Sequence, residues 1–410
     1  NPRDKPALLV AARALTMRDL PEPRRAVLRR FVEPQTREII DEGLLITFPG
    51  PRTETGEDMV ELHCHGSHAV VRDLAALLGD LPGFRLAEPG EFTRRAFLNG
   101  KTDLAAIEGL GDLLAAETAV QRRAAMTMMG GALSRRIAIW TDRLRKLAAQ
   151  VEARLDFSDE GDVADAGVLS NLPADCLAIA AEMDRELDKP SADRLKDGVR
   201  IVIAGPPNAG KSTLFNYLVG REAAIVSAIA GTTRDILDAS IAIRGVPMRL
   251  SDSAGLRESN DEIERLGIGR AEASILTADI ILWLGDPEEQ PVVDGLVLQI
   301  HAKADLNADA SSEGIHLSAV SGEGMDLLVD ALCREANAYL PLPGDYALSQ
   351  RQIAILRRAV DGVREAGTVQ DEILIGECLR LALTTLDELT GQATTDAVLD
   401  ELFLGFCIGK

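Results

Sequence analysis

The sequence is poor in cysteine, in basic charge and in long apolar runs, and each shortage excludes something. Its five cysteines, Cys64, Cys176, Cys333, Cys378 and Cys407, are odd in number and far apart. They fit neither a disulfide framework nor metal-ligand spacing, so a reducing cytoplasm is the expected setting. No apolar stretch approaches the ~20 residues of a membrane span, and no secretory signal is present. The chain begins on Asn1 rather than Met, and a natural start further upstream is expected. Lysine and arginine number 44 against 65 aspartates and glutamates, a formal net charge of -21 over 410 residues. Such a balance argues against indiscriminate binding to nucleic acid or anionic membrane. A nucleic-acid partner would need a local basic patch or a basic companion protein. Internal repeats and low-complexity tracts are also lacking.

What is there divides into four regions. Residues 1–100 mix short β-like runs ("GLLITF", "DMVELHCH") with Pro and Gly punctuation, as expected of a small α+β domain. Over 101–197 the pattern turns helical, with Leu133, Ile137, Trp140, Leu144, Leu147, Val151 and Leu155 forming one apolar stripe. Residues 198–342 alternate strands with helical segments, and "VRIVIA" and "ADIILWL" read as parallel strands buried on both faces. From 343 to 410 helix returns, with Leu379, Ala382, Leu386 and Leu389 repeating the stripe. The expected architecture is multidomain α/β: an α/β domain inserted into an all-helical domain, preceded by the small α+β domain. Arg122, Arg123, Arg135, Arg136, Arg143, Arg145 and Lys146 cluster on the helical segment. They are expected to be a solvated face paired with nearby acids rather than a phosphate-binding surface.

The stretch "GPPNAGKST" comes after the strand-like "RIVIA" and precedes the helix-like "TLFNYLV". Glycines there let backbone amides curl around phosphates, and the helix N-terminus adds positive potential. Lys211 neutralises the β- and γ-oxygens, and the Ser212 hydroxyl ligates Mg²⁺. Asn208, Ala209, Gly210, Lys211, Ser212 and Thr213 are therefore candidate nucleotide contacts. A glycine-rich turn that binds nothing would not need the strand and the helix on either side.

Later motifs select the nucleotide. "GTTRD" offers Thr233 as a second hydroxyl for Mg²⁺ and a sensor of the γ-phosphate. "DSAG" offers Asp252 for the Mg²⁺ shell and the amide of Gly255 for the γ-phosphate. In "AKAD" the Asp305 carboxylate can accept two hydrogen bonds from a guanine edge while Lys303 covers the base plane. "SAVSG" adds Ser318 and Ala319 as further base contacts. In this order the motifs resemble a Ras-like GTPase domain, a mostly parallel sheet with flanking helices. Two positions depart from that pattern. Ala302 stands where such GTPases carry an asparagine, and Leu256 stands where they orient water with a glutamine. Glu258, Asp261, Glu262 and Glu264 are nearby acids that could serve instead.

Longer segments narrow the likeness. "GREAAIVSAIAGTTRD", "SAGLRESNDEIERLGIGRA", "FPGPRTETGEDMVELHCHG", "PGEFTRRAFLNGKTDLAAIEGL" and the ending "FCIGK" together resemble the MnmE (TrmE) family of tRNA-modification GTPases. The resemblance implies a dimerising, potassium-activated GTPase. With an FAD-dependent partner of the MnmG (GidA) type it modifies carbon 5 of the wobble uridine of certain tRNAs. The one-carbon unit comes from 5-formyltetrahydrofolate or a related folate, and tRNA is engaged mainly through the complex. Residue by residue, it implies Glu264 as the water-orienting acid, and Asn208, Ser227, Ile229 and Thr232 around K⁺. It implies Glu61, Lys101 and Lys410 at the folate. A ribosome-assembly or signalling-type GTPase switch is the alternative, and a basic RNA-binding domain is the feature expected of it.

The ending itself allows three fates. Cys407 stands fourth from the end, but Lys410 is not a usual final residue of a prenylation box and no polybasic run precedes it. A frayed terminus is the plain alternative. With the resemblance in hand the motif is expected at the folate site, where Cys407 is either a small apolar residue or a thiol acting in the one-carbon chemistry.

Overall fold

The computed structural model describes residues 7–156, 171–222, 238–252, 273–293, 295–306 and 313–393. The protein divides into two compact units. One contains the described residues up to Ile107 and those from Thr390 on, and the other those of Glu108–Leu389.

In the first unit, α1 (Ala7–Thr16) precedes a three-stranded antiparallel sheet of β1 (Val27–Val32), β2 (Ile39–Phe48) and β3 (Met59–His63). Then come α2 (His68–Gly79) and α3 (Glu91–Leu98). The sheet alternates: Phe31 and Leu45 are fully buried, packed with Ala12 and Leu74 from the helices, while Leu28 and Leu44 face outward opposite each other. This is the period-two pattern of an antiparallel sheet with one covered face. It gives the α+β class that the sequence predicts.

The second unit carries helices on either side, in sequence, of an α/β part. The leading helices are α4 (Leu104–Ala115), whose first turn counts with the first unit, α5 (Ala119–Met129), α6 (Ala132–Asp156), α7 (Leu172–Leu187) and α8 (Ala192–Asp197). On α6 the stripe from Leu133 to Val151 is buried as its spacing predicts, whereas Leu155, at the last turn, is only half-buried. A six-stranded sheet comes next, in the order β5-β6-β4-β7-β8-β9. Its strands are β4 (Val199–Ala204), β5 (Asp238–Ile243), β6 (Val246–Asp252), β7 (Ile280–Trp283), β8 (Leu296–His301) and β9 (Ile315–His316). All neighbours are parallel except the β5–β6 hairpin at one edge. Helices α9 (Lys211–Glu222) and α10 (Met325–Asn337) belong to this part, and α11 (Gln350–Ala366) and α12 (Glu372–Thr390) come after it. On α12, Leu379, Ala382, Leu386 and Leu389 are buried, as their spacing predicts.

The entry and exit of the α/β part are tied together. Ser191 and Leu348 form a parallel bridge, and the Ala192 amide donates to the Leu348 carbonyl at 2.9 Å. Beside it the Tyr346 hydroxyl donates to the buried Glu186 carboxylate at 2.9 Å, and Lys189 and Arg136 pair with the same carboxylate. A buried charge that meets two cations and a hydroxyl is compensated rather than orphaned.

Candidate functional site

The site begins where β4 ends. With β6 on one side and β7 on the other, β4 is the central strand and is buried along almost its whole length. Beyond it the backbone turns at Gly205, with φ +144, directly under Leu284. A Cβ at Gly205 would stand 3.0 Å from the Leu284 carbonyl carbon, so only glycine lets the loop pass. Asn208 (φ 62) and Gly210 (φ 101) are also left-handed, and asparagine tolerates that region better than most side chains. These bends deliver the chain into α9 at Lys211. The first amides of a helix lack partners within it, and that end carries partial positive charge, so the turn is suited to an anion.

Lys211 is buried, with only 6% of its surface exposed, and its ammonium donates to the carbonyls of Gly205 (2.9 Å) and Pro206 (2.8 Å). The loop thus wraps its own cation. Next to it, Ser212 Oγ donates to Asp252 Oδ2 at 2.8 Å. Asp252 ends β6 in register with Ile203 of β4, so the parallel pairing sets the carboxylate beside the first turn of α9. A hydroxyl and a carboxylate in contact are the hard oxygen donors that Mg²⁺ takes alongside phosphate oxygens. The residues present therefore fit that ion. Thr213 is exposed in the same turn.

The opposite wall comes from the ends of β8 and β9. Lys303, itself at φ 62, donates from Nζ to the Asn208 carbonyl at 2.7 Å and closes this loop onto the phosphate loop. The methyl of Ala302 faces the same loop, 3.6 Å from where a Gly210 Cβ would lie. The amide of Ala304 donates to the Leu317 carbonyl at 3.1 Å, which carries the chain toward Ser318. Ser318 is buried: its amide donates to the Glu323 carbonyl (2.9 Å) and its Oγ accepts from the Ser321 amide (3.2 Å). Ala319 is half-buried, and Asp305 is exposed. Between the two walls lies an open cleft of about 830 Å³, lined among others by Asn208, Ala209, Leu284, Ala302, Lys303 and Leu306.

The structure thus brings together Asn208, Ala209, Gly210, Lys211, Ser212 and Asp252, and joins them through Lys303 to the Ala302–Asp305 loop. Ser227, Ile229, Thr232, Thr233, Gly255, Leu256, Glu264, Cys407 and Lys410 lie outside the described residues. His301 and His316 also line the cleft and stack on one another, and no sequence motif marks them. The one available signal was their place, one and two residues ahead of the base-loop motifs.

In the first unit, Glu61 lies on β3 opposite Ile46, and its carboxylate is 2.9 Å from His63 Nε2. Lys101 lies against Gly56, its Cε 3.1 Å from the position of a Cβ there. A cleft of about 340 Å³ in this unit is lined instead by residues that include Glu57, Asp58, Phe84, Arg85, Glu91 and Arg95. There Glu91 accepts from both guanidinium nitrogens of Arg85 at 2.7 and 2.8 Å and from Arg95 at 2.8 Å. Arg95 reaches on to Glu57 at 2.8 Å. The Arg85 guanidinium, with help from the Glu88 amide and Arg95, holds the Glu91 carboxyl down to about 2. On α6, Arg136, Arg143 and Lys146 pair with Glu186, Glu182 and Asp142, which is the acid-paired face that the sequence predicts for these three. Among the described residues no group of three or more acid, histidine or cysteine side chains is placed to hold a metal, and no helix is long and apolar enough to cross a membrane.

A phosphate loop after the central parallel strand, an acidic end to its neighbour and a base-side loop from β8 define a Ras-like GTPase fold. Comparison with known proteins carries this further. Residues 104–407 match the MnmE helical domain and residues 5–101 match the GTP-binding protein TrmE N-terminus. A tRNA modification GTPase MnmE of Rhizorhabdus wittichii is 51% identical over 397 residues, covering 96% of this chain and 89% of its own length. That of Zymomonas mobilis subsp. mobilis is 46% identical over 402 residues, covering 97% and 93%. Among solved structures, the G domain of the T. maritima FeoB iron transporter aligns with 34% of this chain and 98% of its own, at 22% identity and a TM-score of 0.24. The chain belongs to the MnmE family.

Proposed function

We propose that this protein is a potassium-activated GTP hydrolase of tRNA modification. The observation that carries the GTPase part is the contact of Ser212 with Asp252 beside the buried Lys211, at the C-terminal ends of parallel strands. Membership of a family whose relatives are tRNA modification GTPases supports the tRNA part.

Lys211 exchanges its two carbonyl partners for the β- and γ-phosphate oxygens when GTP arrives. Ser212, Asp252 and Thr233 would hold Mg²⁺, which would supply positive charge to the phosphates. Asp305 accepts from the guanine edge, Lys303 covers the base, and Ser318 and Ala319 complete the base pocket. The amide of Gly255 meets the γ-phosphate. Asn208, Ser227, Ile229 and Thr232 would hold K⁺, whose charge would take the part that an arginine finger plays elsewhere. Leu256 cannot orient water, and Glu264 does so in its place.

Two copies pair, and with an FAD-dependent partner of the MnmG (GidA) type they modify carbon 5 of the wobble uridine, the partner contributing much of the tRNA affinity. Glu61, Lys101 and Lys410 bind the folate that donates the carbon, probed best as 5-formyltetrahydrofolate. Support from this chain is chemical: an acidic side chain suits the amide and amine edge of a pterin, and lysines suit its glutamate tail. The tail from Cys407 to Lys410 belongs to that site. Equilibrium dialysis with 5-formyltetrahydrofolate is the test: saturable binding that weakens in Glu61→Ala and on deletion of Cys407–Lys410 is expected. Absence of binding would remove the folate role and leave a GTPase switch.

A further inference from the structure

Strand β9 is only two residues long, Ile315 and His316, and it pairs with β8 through Ile300↔Ile315 and His301↔His316. So short an edge strand holds its register weakly, and a slip by one residue would displace the next part of the chain by ~3.3 Å. That part of the chain holds Ser318 and Ala319, just as the residues directly after His301 are Ala302–Asp305. The relative placement of both base loops therefore depends on this short pairing and on the Leu317–His301 and Ala304–Leu317 hydrogen bonds that extend it.

The two histidines reinforce it. Their rings stack with centroids 4.6 Å apart and planes 23° from parallel, the spacing of an offset aromatic pair. His301 Nε2 lies 3.0 Å from the Glu313 carbonyl, and because a carbonyl only accepts, that nitrogen carries the proton. Gly314, at φ +137, makes the contact possible: a Cβ there would stand 3.0 Å from both Cδ2 and Nε2 of His301. The amide of Leu317 donates to the His301 carbonyl at 3.0 Å, continuing the ladder into the base loop. Both rings line the cleft and are half-buried there. Meanwhile Ala302 brings a methyl to the phosphate loop and has no amide with which to brace the loop that it begins.

We propose that the stacked His301–His316 pair is the positioning element of guanine recognition, locking the register of β9 on β8 so that Asp305 and the Ser318–Ala319 turn meet one base together. This rests on the proposed GTP site. Neither histidine need touch the nucleotide. The pair sets the separation of the two loops that do.

The test compares calorimetric binding of GDP and of inosine diphosphate, which lacks the 2-amino group that Asp305 would accept from. In the intact 410-residue chain, His316→Ala should weaken GDP by about tenfold and inosine diphosphate by less, so that the preference for guanine shrinks. His316→Phe keeps a stacking ring and should restore both values to within about twofold. Should His316→Ala not fold, His316→Gln keeps polarity without a ring and is expected to show the same reduced preference. An unchanged GDP-to-inosine preference in the ringless variant, or failure of His316→Phe to restore it, would overturn the proposal. Failure of the unaltered protein to bind GDP would instead overturn the GTP site beneath it.

Discussion

Ser212 Oγ and Asp252 Oδ2 are 2.8 Å apart, although 40 residues separate them in sequence. The contact joins the first turn of α9 to the end of β6, so the parallel pairing of β4 with β6 is what places the two groups together. If they share Mg²⁺, Asp252→Asn should lower GTP turnover by about a hundredfold, since a neutral amide screens no charge. Binding of GDP in EDTA should change little. Turnover measured across Mg²⁺ concentrations checks this, and unaltered activity would detach Asp252 from the metal.

Ala302→Asn restores an amide opposite the phosphate loop. The Ala302 methyl faces Gly210, 3.6 Å from where a Cβ there would lie, so the longer side chain extends toward the loop backbone. One added hydrogen bond contributes roughly 1 kcal/mol, and GTP should bind about fivefold more tightly. If Asp305 reads the purine edge as proposed, GTP should be far preferred over ATP in both proteins. A competition titration measures both effects.

In the first unit, Glu91 links α3 to Arg85. Its carboxyl is held at about 2, below the ordinary 4.5 of an unfolded chain, so the folded state favours the ionised form. The resulting stability is whole above pH 4.5, declines as pH falls through that range, and is gone below about 2. Glu91→Gln should therefore destabilise this unit at pH 7 by roughly 2 kcal/mol, because two guanidinium groups lose a charge-assisted acceptor. The difference from the unaltered protein should shrink markedly by about pH 3 and vanish only below about 2. Chemical denaturation at about pH 7 and about pH 3 measures it.

If Glu264 orients the water as proposed, Glu264→Ala should separate binding from catalysis. A residue that orients water need not touch the ground-state nucleotide, so affinity for GTP should stay within about twofold while hydrolysis falls on the order of a hundredfold. Glu258→Ala and Glu262→Ala should behave like the unaltered protein. Single-turnover assays on the three variants would reveal if another acid does the work.

Much of the site was legible because phosphate binding fixes residue types at short spacing: Gly205, Gly210, Lys211 and Ser212 can be read without knowing the fold. Asp252 and Asp305 were legible by their place after strand-like runs. Other features depend on contacts between elements and leave no local pattern. Lys303 reaching the Asn208 carbonyl, the Glu186–Tyr346 anchor and the His301–His316 stack all require the strand order and register. Likewise, the Arg85–Glu91–Arg95–Glu57 network joins a loop to α3 across 38 residues between its outer members Arg95 and Glu57. Burial stripes on α6 and α12 were legible since helical spacing alone decides which face turns inward.

The most direct test of the central claim is the rate of GTP hydrolysis in KCl against NaCl, with Mg²⁺ present and Lys211→Ala as background. A K⁺ ion held by Asn208 predicts turnover at least about tenfold faster in KCl, abolished by Lys211→Ala, and levelled between the two salts by Asn208→Ala. Equal rates in the two salts would contradict potassium activation, and a rate no higher than that of Lys211→Ala would contradict GTP hydrolysis at this site altogether.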